Sequence, residues 1–204
     1  MKIDEIQWAM HEQLSQHFDG FKYRKSDFEY AKRVKGISHI FRIYLHAKTE
    51  WIKVEPAIFL GSSDVNKLFN NALGRKLPAT GSTCGFSVRN KYKERGNYSI
   101  ESESDITSVV ECLRRDFTEI AIPLFEDNRT LQDVEKYINT KSEDGKYCPE
   151  SVSDACLGIS AAKLCENPDF GKICDDYYEF CRQAQSPVLA APILKIRDYL
   201  VGVA

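Results

Sequence analysis

Seven cysteines, four histidines and a hydroxyl-rich turn are the residues of this 204-residue chain whose types and spacing could do chemistry. Gly81-Ser82-Thr83-Cys84-Gly85 sets two hydroxyls and a thiol between glycines, a composition that could expose a nucleophile on a strained turn. It lacks the Gly-x-Ser-x-Gly spacing of a nucleophile elbow. The sequence assigns it no base, so Cys84 reads first as a strand residue and the enzyme alternative keeps its cleft at Thr80–Gly85. Zinc ligands usually come in pairs two to four residues apart. Cys148, Cys156, Cys165, Cys174 and Cys181 include no such pair, and no histidine follows His46. Cys174 and Cys181 are two helical turns apart and belong to an apolar stripe. His11 and His17 fall on different sides of a helix. His39 and His46 differ by an odd number and point to opposite faces of a strand, His39 inward. Glu101, Glu103 and Asp105 lead into a helix start, where negative charge favours the macrodipole. There is no Gly-x-Gly-x-x-Gly and no phosphate loop. The sequence therefore nominates no catalytic residue, no metal and no cofactor, and leans away from an enzyme.

The elements that would position these groups follow from periodicity. Ile3, Ile6, Met10 and Leu14 recur at helical spacing, and Gly20 closes the segment. Residues 21–35 mix aromatic and basic residues and lean toward an extended segment. Ile37–Leu45 and Trp51–Leu60 alternate as strands and pair as a hairpin, with Pro56 predicting an edge or a bulge. Ser62-Ser63-Asp64 caps a helix ended by Gly74. Leu77-Pro78-Ala79-Thr80-Gly81 matches a sortase pattern, but mid-chain and without a tail it reads as a turn. Short strands at Cys84–Val88 and Tyr98–Ile100 flank a basic loop. A long helix starts at Ser104-Asp105 and meets Pro123, and Thr130 caps a short one. Residues 139–150 are polar and read as a linker. Three helices close the chain, Val152–Cys165, Asp169–Gln183 and Val188–Val201, the last two opened by Asn167-Pro168 and Ser186-Pro187. Strands first and helices last predict an α+β fold. It would have an N-terminal helix, a mostly antiparallel sheet of about four strands with one inserted helix, and a C-terminal run of helices. The expected organisation is an α+β domain over 1–142 with a helical subdomain over 150–204 packed on it.

With 11% aromatic residues and a net charge of -2, the chain is not globally disordered. Met1-Lys2-Ile3-Asp4-Glu5-Ile6 is no secretory start, no apolar run reaches membrane-spanning length, and an odd cysteine count suits reduced thiols; the expected location is cytoplasmic, with no membrane partner. Charge is unevenly spread along the sequence. Residues 1–100 hold 17 Lys/Arg and 10 Asp/Glu, and residues 101–204 hold 11 and 20. Arg89, Lys91, Lys93 and Arg95 form a basic cluster. On the predicted 169–183 helix, Phe170, Ile173, Cys174, Tyr177 and Cys181 make the inner stripe, which turns Asp175, Asp176 and Glu179 outward, with Tyr178 as an aromatic anchor.

Gly20-Phe21-Lys22, Phe28, the Ile37–Leu45 strand, Val54-x-Pro56 and Ala121-Ile122-Pro123-Leu124-Phe125-Glu126 carry a resemblance over about residues 1–140. In these features the chain resembles a bacterial family of small α+β proteins grouped under a domain of unknown function. Some of its members stand beside polymorphic-toxin genes as immunity proteins. The resemblance implies no catalytic residue to carry over.

The expected function is that of a non-enzymatic binding protein. Its concrete form is an immunity protein that neutralises a cognate toxin by surface occlusion, with Asp175, Asp176, Tyr178 and Glu179 meeting a basic toxin domain. Nucleic-acid binding through Arg89–Arg95 is the less favoured alternative, because that segment carries one aromatic residue and no recognised motif.

Overall fold

The computed structural model describes residues 2–75, 81–184 and 187–202. Part of the Leu77–Gly81 turn, Thr80 of the proposed cleft and the Ser186 start signal lie outside the described residues. The fold is α+β. Its contacts divide the chain into two units: Met1–Val34, Ser38–Leu60 and Gly85–Asp127 form the first, and Lys35–Ile37, Gly61–Cys84 and Asn128–Ala204 the second. The division does not fall at 142–150. It is discontinuous in sequence, and two helices that precede residue 142 belong to the second unit.

In the first unit, α1 (Ile3–Leu14) buries Ile6, Met10 and Leu14 at helical spacing, and Gly20 at φ 74° turns the chain into the sheet. The aromatic-basic segment resolves into β1 (Lys22–Arg24), a 3-10 turn over Lys25–Asp27, and β2 (Glu29–Val34). Lys35 and Gly36, at φ 47° and 90°, make the two-residue loop into β3 (Ile37–Ala47), a geometry suited to strand twist. β4 (Ile52–Ser62) returns through a turn closed by the Lys48 N–H and Trp51 C=O. β5 (Cys84–Ser87), a short helix α3 (Val88–Lys91) and β6 (Tyr98–Ile100) follow. The order is β1-β2-β3-β4-β5, with β6 also on β4. Among the described residues the sheet thus has six strands, where the sequence predicts about four. β4 is interior, which excludes the edge position among the two, edge or bulge, that Pro56 predicts. The reason is that β6 pairs with Ile52–Val54 while β5 approaches at Ile58-Phe59, so the missing proline donor falls between two partners.

One face of the sheet is apolar. Phe18 stacks on Tyr30 and meets Phe117, each with centroids 4.0 Å apart, and His39 stacks on Phe125 at 4.7 Å. His39 is buried there, on the inward face its parity predicted. α4 (Asp105–Asp116) continues through a π turn over Phe117–Ala121 into α5 (Ile122–Asp127). Proline removes a backbone donor and crowds the carbonyl four residues back, here Glu119; the wider turn lets the helix run past Pro123.

The second unit is helical: α2 (Ser63–Leu73), α6 (Leu131–Ile138), α7 (Val152–Leu164), α8 (Phe170–Ala184) and α9 (Pro187–Gly202). Caps match the expected starts, with Ser62, Thr130 and Ser151 each accepting a first-turn N–H. Residues Ala155–Ala162 of α7 are all buried, as expected of a helix enclosed by its neighbours. Gly158 permits that closeness: a Cβ there would sit 2.5 Å from Asn139 Oδ1 and 3.0 Å from the Tyr177 ring. Residues 139–150 are no linker. Tyr147 is buried in the helical core, donates its hydroxyl to Asp169 (2.9 Å) and its N–H to Asp176 (3.2 Å), and anchors the segment to α8.

Candidate binding surface

The opposite face of the sheet is polar, and the pleat decides which side chains share it. β1 pairs with β2 so that Lys22 meets Ala31 and Arg24 meets Glu29, which puts Lys22, Arg24, Glu29 and Arg33 on one side. Arg42 joins them from β3. Glu29 has no exposed surface, yet it is ionisable; burial is tolerated because Arg24 Nη1 donates to Oε1 (2.9 Å) while Arg42 Nε and Nη2 donate to Oε2 (3.0 and 2.5 Å). Burial works against the Arg42 charge, but the hydrogen bonds it makes to Glu29 and Tyr44 outweigh it and hold its pKa above the ordinary arginine value. The Arg42 guanidinium also lies 5.5 Å from the Phe59 ring and 6.0 Å from Tyr44.

A second carboxylate repeats the arrangement nearer the β3–β4 turn. Glu55 receives Lys53 Nζ at 2.6 Å, His46 Nε2 at 3.2 Å and Arg89 Nη1 at 3.7 Å. Partial burial would raise its pKa, but Lys53, His46 and Arg89 prevail and lower it below the usual glutamate range. Tyr44 stands between these two clusters, 37% exposed, with its ring beside His46. On this face six side chains are basic (Lys22, Arg24, Arg33, Arg42, Lys53, Arg89) and two acidic (Glu29, Glu55). The surplus is positive, and ion pairs hold Arg24, Arg42, Lys53 and Arg89 in place.

The four basic residues nominated from sequence separate. Arg89 joins Glu55. Arg95 turns to Glu119 (2.6 Å) and Asp116 (4.0 Å). Lys91 lies over Phe86 (4.6 Å) and, like Lys93, is exposed. Asp116 is a feature with no signal in the sequence. It is buried at the start of the π turn, accepts from Tyr98 OH (2.5 Å) through Oδ2, and has its carboxyl pushed up by burial.

On α8, Asp175 has 78% of its side chain exposed and lies 3.9 Å from Arg197. Asp176 does not face outward as read: only 19% of its side chain is exposed, and it holds Lys172 and the Tyr147 N–H. Glu179 is exposed, but Arg182 and Gln183 engage it and draw its pKa down to about 2. Tyr178 is half-buried against the helical core, while Phe180 is the more exposed ring. The α8 acids are therefore largely matched by cations of their own unit.

At the Thr80–Gly85 segment, Thr83 Oγ1 accepts from the Ser62 N–H (2.7 Å) and donates to Asn66 Oδ1 (3.0 Å). Asn66 Nδ2 donates to the Gly81 carbonyl (2.8 Å), and burial pushes the Cys84 thiol up to about 12. These bonds fasten the segment to the start of α2.

The charge split along the sequence does not persist in three dimensions. The sheet unit holds 15 basic and 17 acidic residues and the helical unit 13 and 13, because α2 with Lys67 and the Arg75 that follows it joins the acidic helices while Glu101–Asp127 joins the sheet. Among the described residues, no helix is long and apolar enough to cross a membrane. Compared with protein-family models, with curated proteins and with solved structures, the chain matches none.

Proposed function

We propose that the chain is a binding protein whose working surface is the open part of the polar sheet face, and that its partner is a protein with an acidic surface. The observation that carries this reading is the preformed set Arg24, Arg42, Tyr44, His46, Lys53 and Arg89, tethered by Glu29 and Glu55. Side chains already held by ion pairs lose little further freedom on association. Arginine and tyrosine are the residue types most often found at the energetic centre of interfaces. The positive surplus steers an acidic partner and disfavours a basic one. A folded protein fits better than nucleic acid, because the Glu55 carboxylate, with 20% of its side chain exposed, stands within the face where a phosphate backbone would meet it.

Immunity toward a toxin is the concrete role that the family resemblance suggests, and occlusion needs only about 800 Å² on each partner. The acidic α8 surface, first nominated to meet a basic toxin domain, has less to recommend it, since its charges are matched within its own unit. The test is titration calorimetry against the product of the neighbouring gene. The reading expects Tyr44→Ala/Arg89→Gln to weaken binding at least tenfold and Asp175→Lys to leave it unchanged. Binding that survives the first variant and fails in the second contradicts it.

A further inference from the structure

β3 outruns its neighbour on one side. The two-residue Lys35-Gly36 loop sets Val34 opposite Ile37 and Glu29 opposite Arg42. The Glu29–Arg42 ion pair and the Ile43 N–H to Phe28 C=O bond (3.0 Å) agree with that register. At Phe28, with φ 44°, the chain leaves the sheet for the 3-10 turn. Tyr44–Ala47 run on with β4 beside them and, among the described residues, no strand on the other flank. Strand N–H groups alternate in direction, so those of Leu45 and Ala47 point the same way as that of Ile43, toward the flank that β2 has left. An open groove of about 280 Å³ lies there, lined by Ile3, Gln7, Phe28, Ile43, Tyr44 and Leu45 among others.

We infer that this edge takes an extended segment of the partner protein that alternates apolar and acidic residues, added as a further strand. The inference rests on the proposed function and specifies the mode of engagement. A row of strand N–H and C=O groups is complemented by another extended chain, which gains affinity from main-chain bonds and specificity from alternate side chains. The pleat dictates the alternation. Every second side chain of the added strand lies beside Leu45 and Ala47, where Phe28 and Ile3 help to line the groove, and should be apolar. The others lie beside Tyr44 and His46, on the face with the positive surplus, and should be acidic.

The experiment titrates the whole chain with a short capped peptide alternating valine and glutamate, with a valine-lysine peptide as control, and follows the Leu45 amide by hydrogen exchange. The valine-glutamate peptide should bind and protect that amide. The lysine peptide should bind at least tenfold more weakly. Leu45→Pro removes an N–H that β4 does not use and should weaken binding about tenfold, the worth of one good hydrogen bond. A melting curve checks that this variant folds; if it does not, amide protection in the wild-type chain decides. Failure of the peptide to bind, or an unprotected Leu45 amide, overturns strand addition. If an acidic protein still binds and Tyr44→Ala/Arg89→Gln weakens it, the sheet-face reading stands; if that variant leaves it unchanged, both fail.

Discussion

In the helical unit Glu135 is buried and accepts from Asn139 (2.8 Å) and Asn167 (2.7 Å), while Asn139 Oδ1 receives the Tyr177 hydroxyl (2.7 Å). In the sheet unit Glu29 is buried as well, but its partners are Arg24 and Arg42, whose guanidinium groups stay partly open, Arg24 with 52% of its side chain exposed. One buried carboxylate accepts hydrogen bonds from amides that share its interior and links α6 to the Asn167 turn. The other anchors cations at the surface. A charged residue at an interior address thus serves packing in one unit and presentation in the other, and the identity of its donors separates the two.

The comparison breaks most sharply if Arg42 is replaced. Arg42→Met leaves Glu29 buried with one exposed partner and should cost about 3–5 kcal/mol, measured by urea denaturation. A loss below about 1 kcal/mol would mean that Glu29 needs no second arginine. In the helical unit Gly158→Ala drives a methyl onto Asn139 and Tyr177 and should cost about 1–3 kcal/mol by overpacking. Tyr177→Phe, which leaves Asn139 Oδ1 without its donor, should cost about 1–2 kcal/mol.

Alkaline pH sharpens the contrast further. Burial raises the thiol of Cys156 on α7 to about 12 and those of Cys165, at the end of α7, and Cys174 on α8 to about 11, from an ordinary value of 9.0. A raised folded-state pKa contributes stability that is complete below the unfolded value and is lost as pH rises through the folded one. Hydrogen exchange should therefore loosen α7 and α8 above about pH 9 while the sheet amides hold; simultaneous loosening would contradict the assignment. The smallest effect is expected from Asp175→Lys, within about 0.5 kcal/mol of wild type because the side chain is exposed.

Much of this architecture is legible in the residues, and the misses have physical causes. The alternation in Ile37–Leu45 and the caps at Ser62, Thr130 and Ser151 are local signals, and local signals located β3, α2, α6 and α7. β1 and β2 are ambiguous in the sequence because the hairpin is short and Lys32 interrupts the alternation, sharing the side of Tyr30 and lying over Phe21. The Lys35-Gly36 loop holds the information that would have registered Glu29 against Arg42, and with it the polar face. Residues 139–150 looked like a linker because their composition is polar; one buried ring, Tyr147, docks them. The charge split misled because order along the chain is not order in space. Of the nominated surface residues, Arg89 reaches the candidate face, whereas Tyr44, His46, Lys53 and Glu55 could be assembled there only once the β3–β4 pairing was known.

The most direct measurement is the affinity of the neighbouring gene's product for the wild-type chain, for Tyr44→Ala/Arg89→Gln and for Asp175→Lys, each checked for an unchanged melting curve. A loss of tenfold or more confined to the sheet-face variant is the predicted result. A loss confined to Asp175→Lys would place the working surface on α8 and contradict the account.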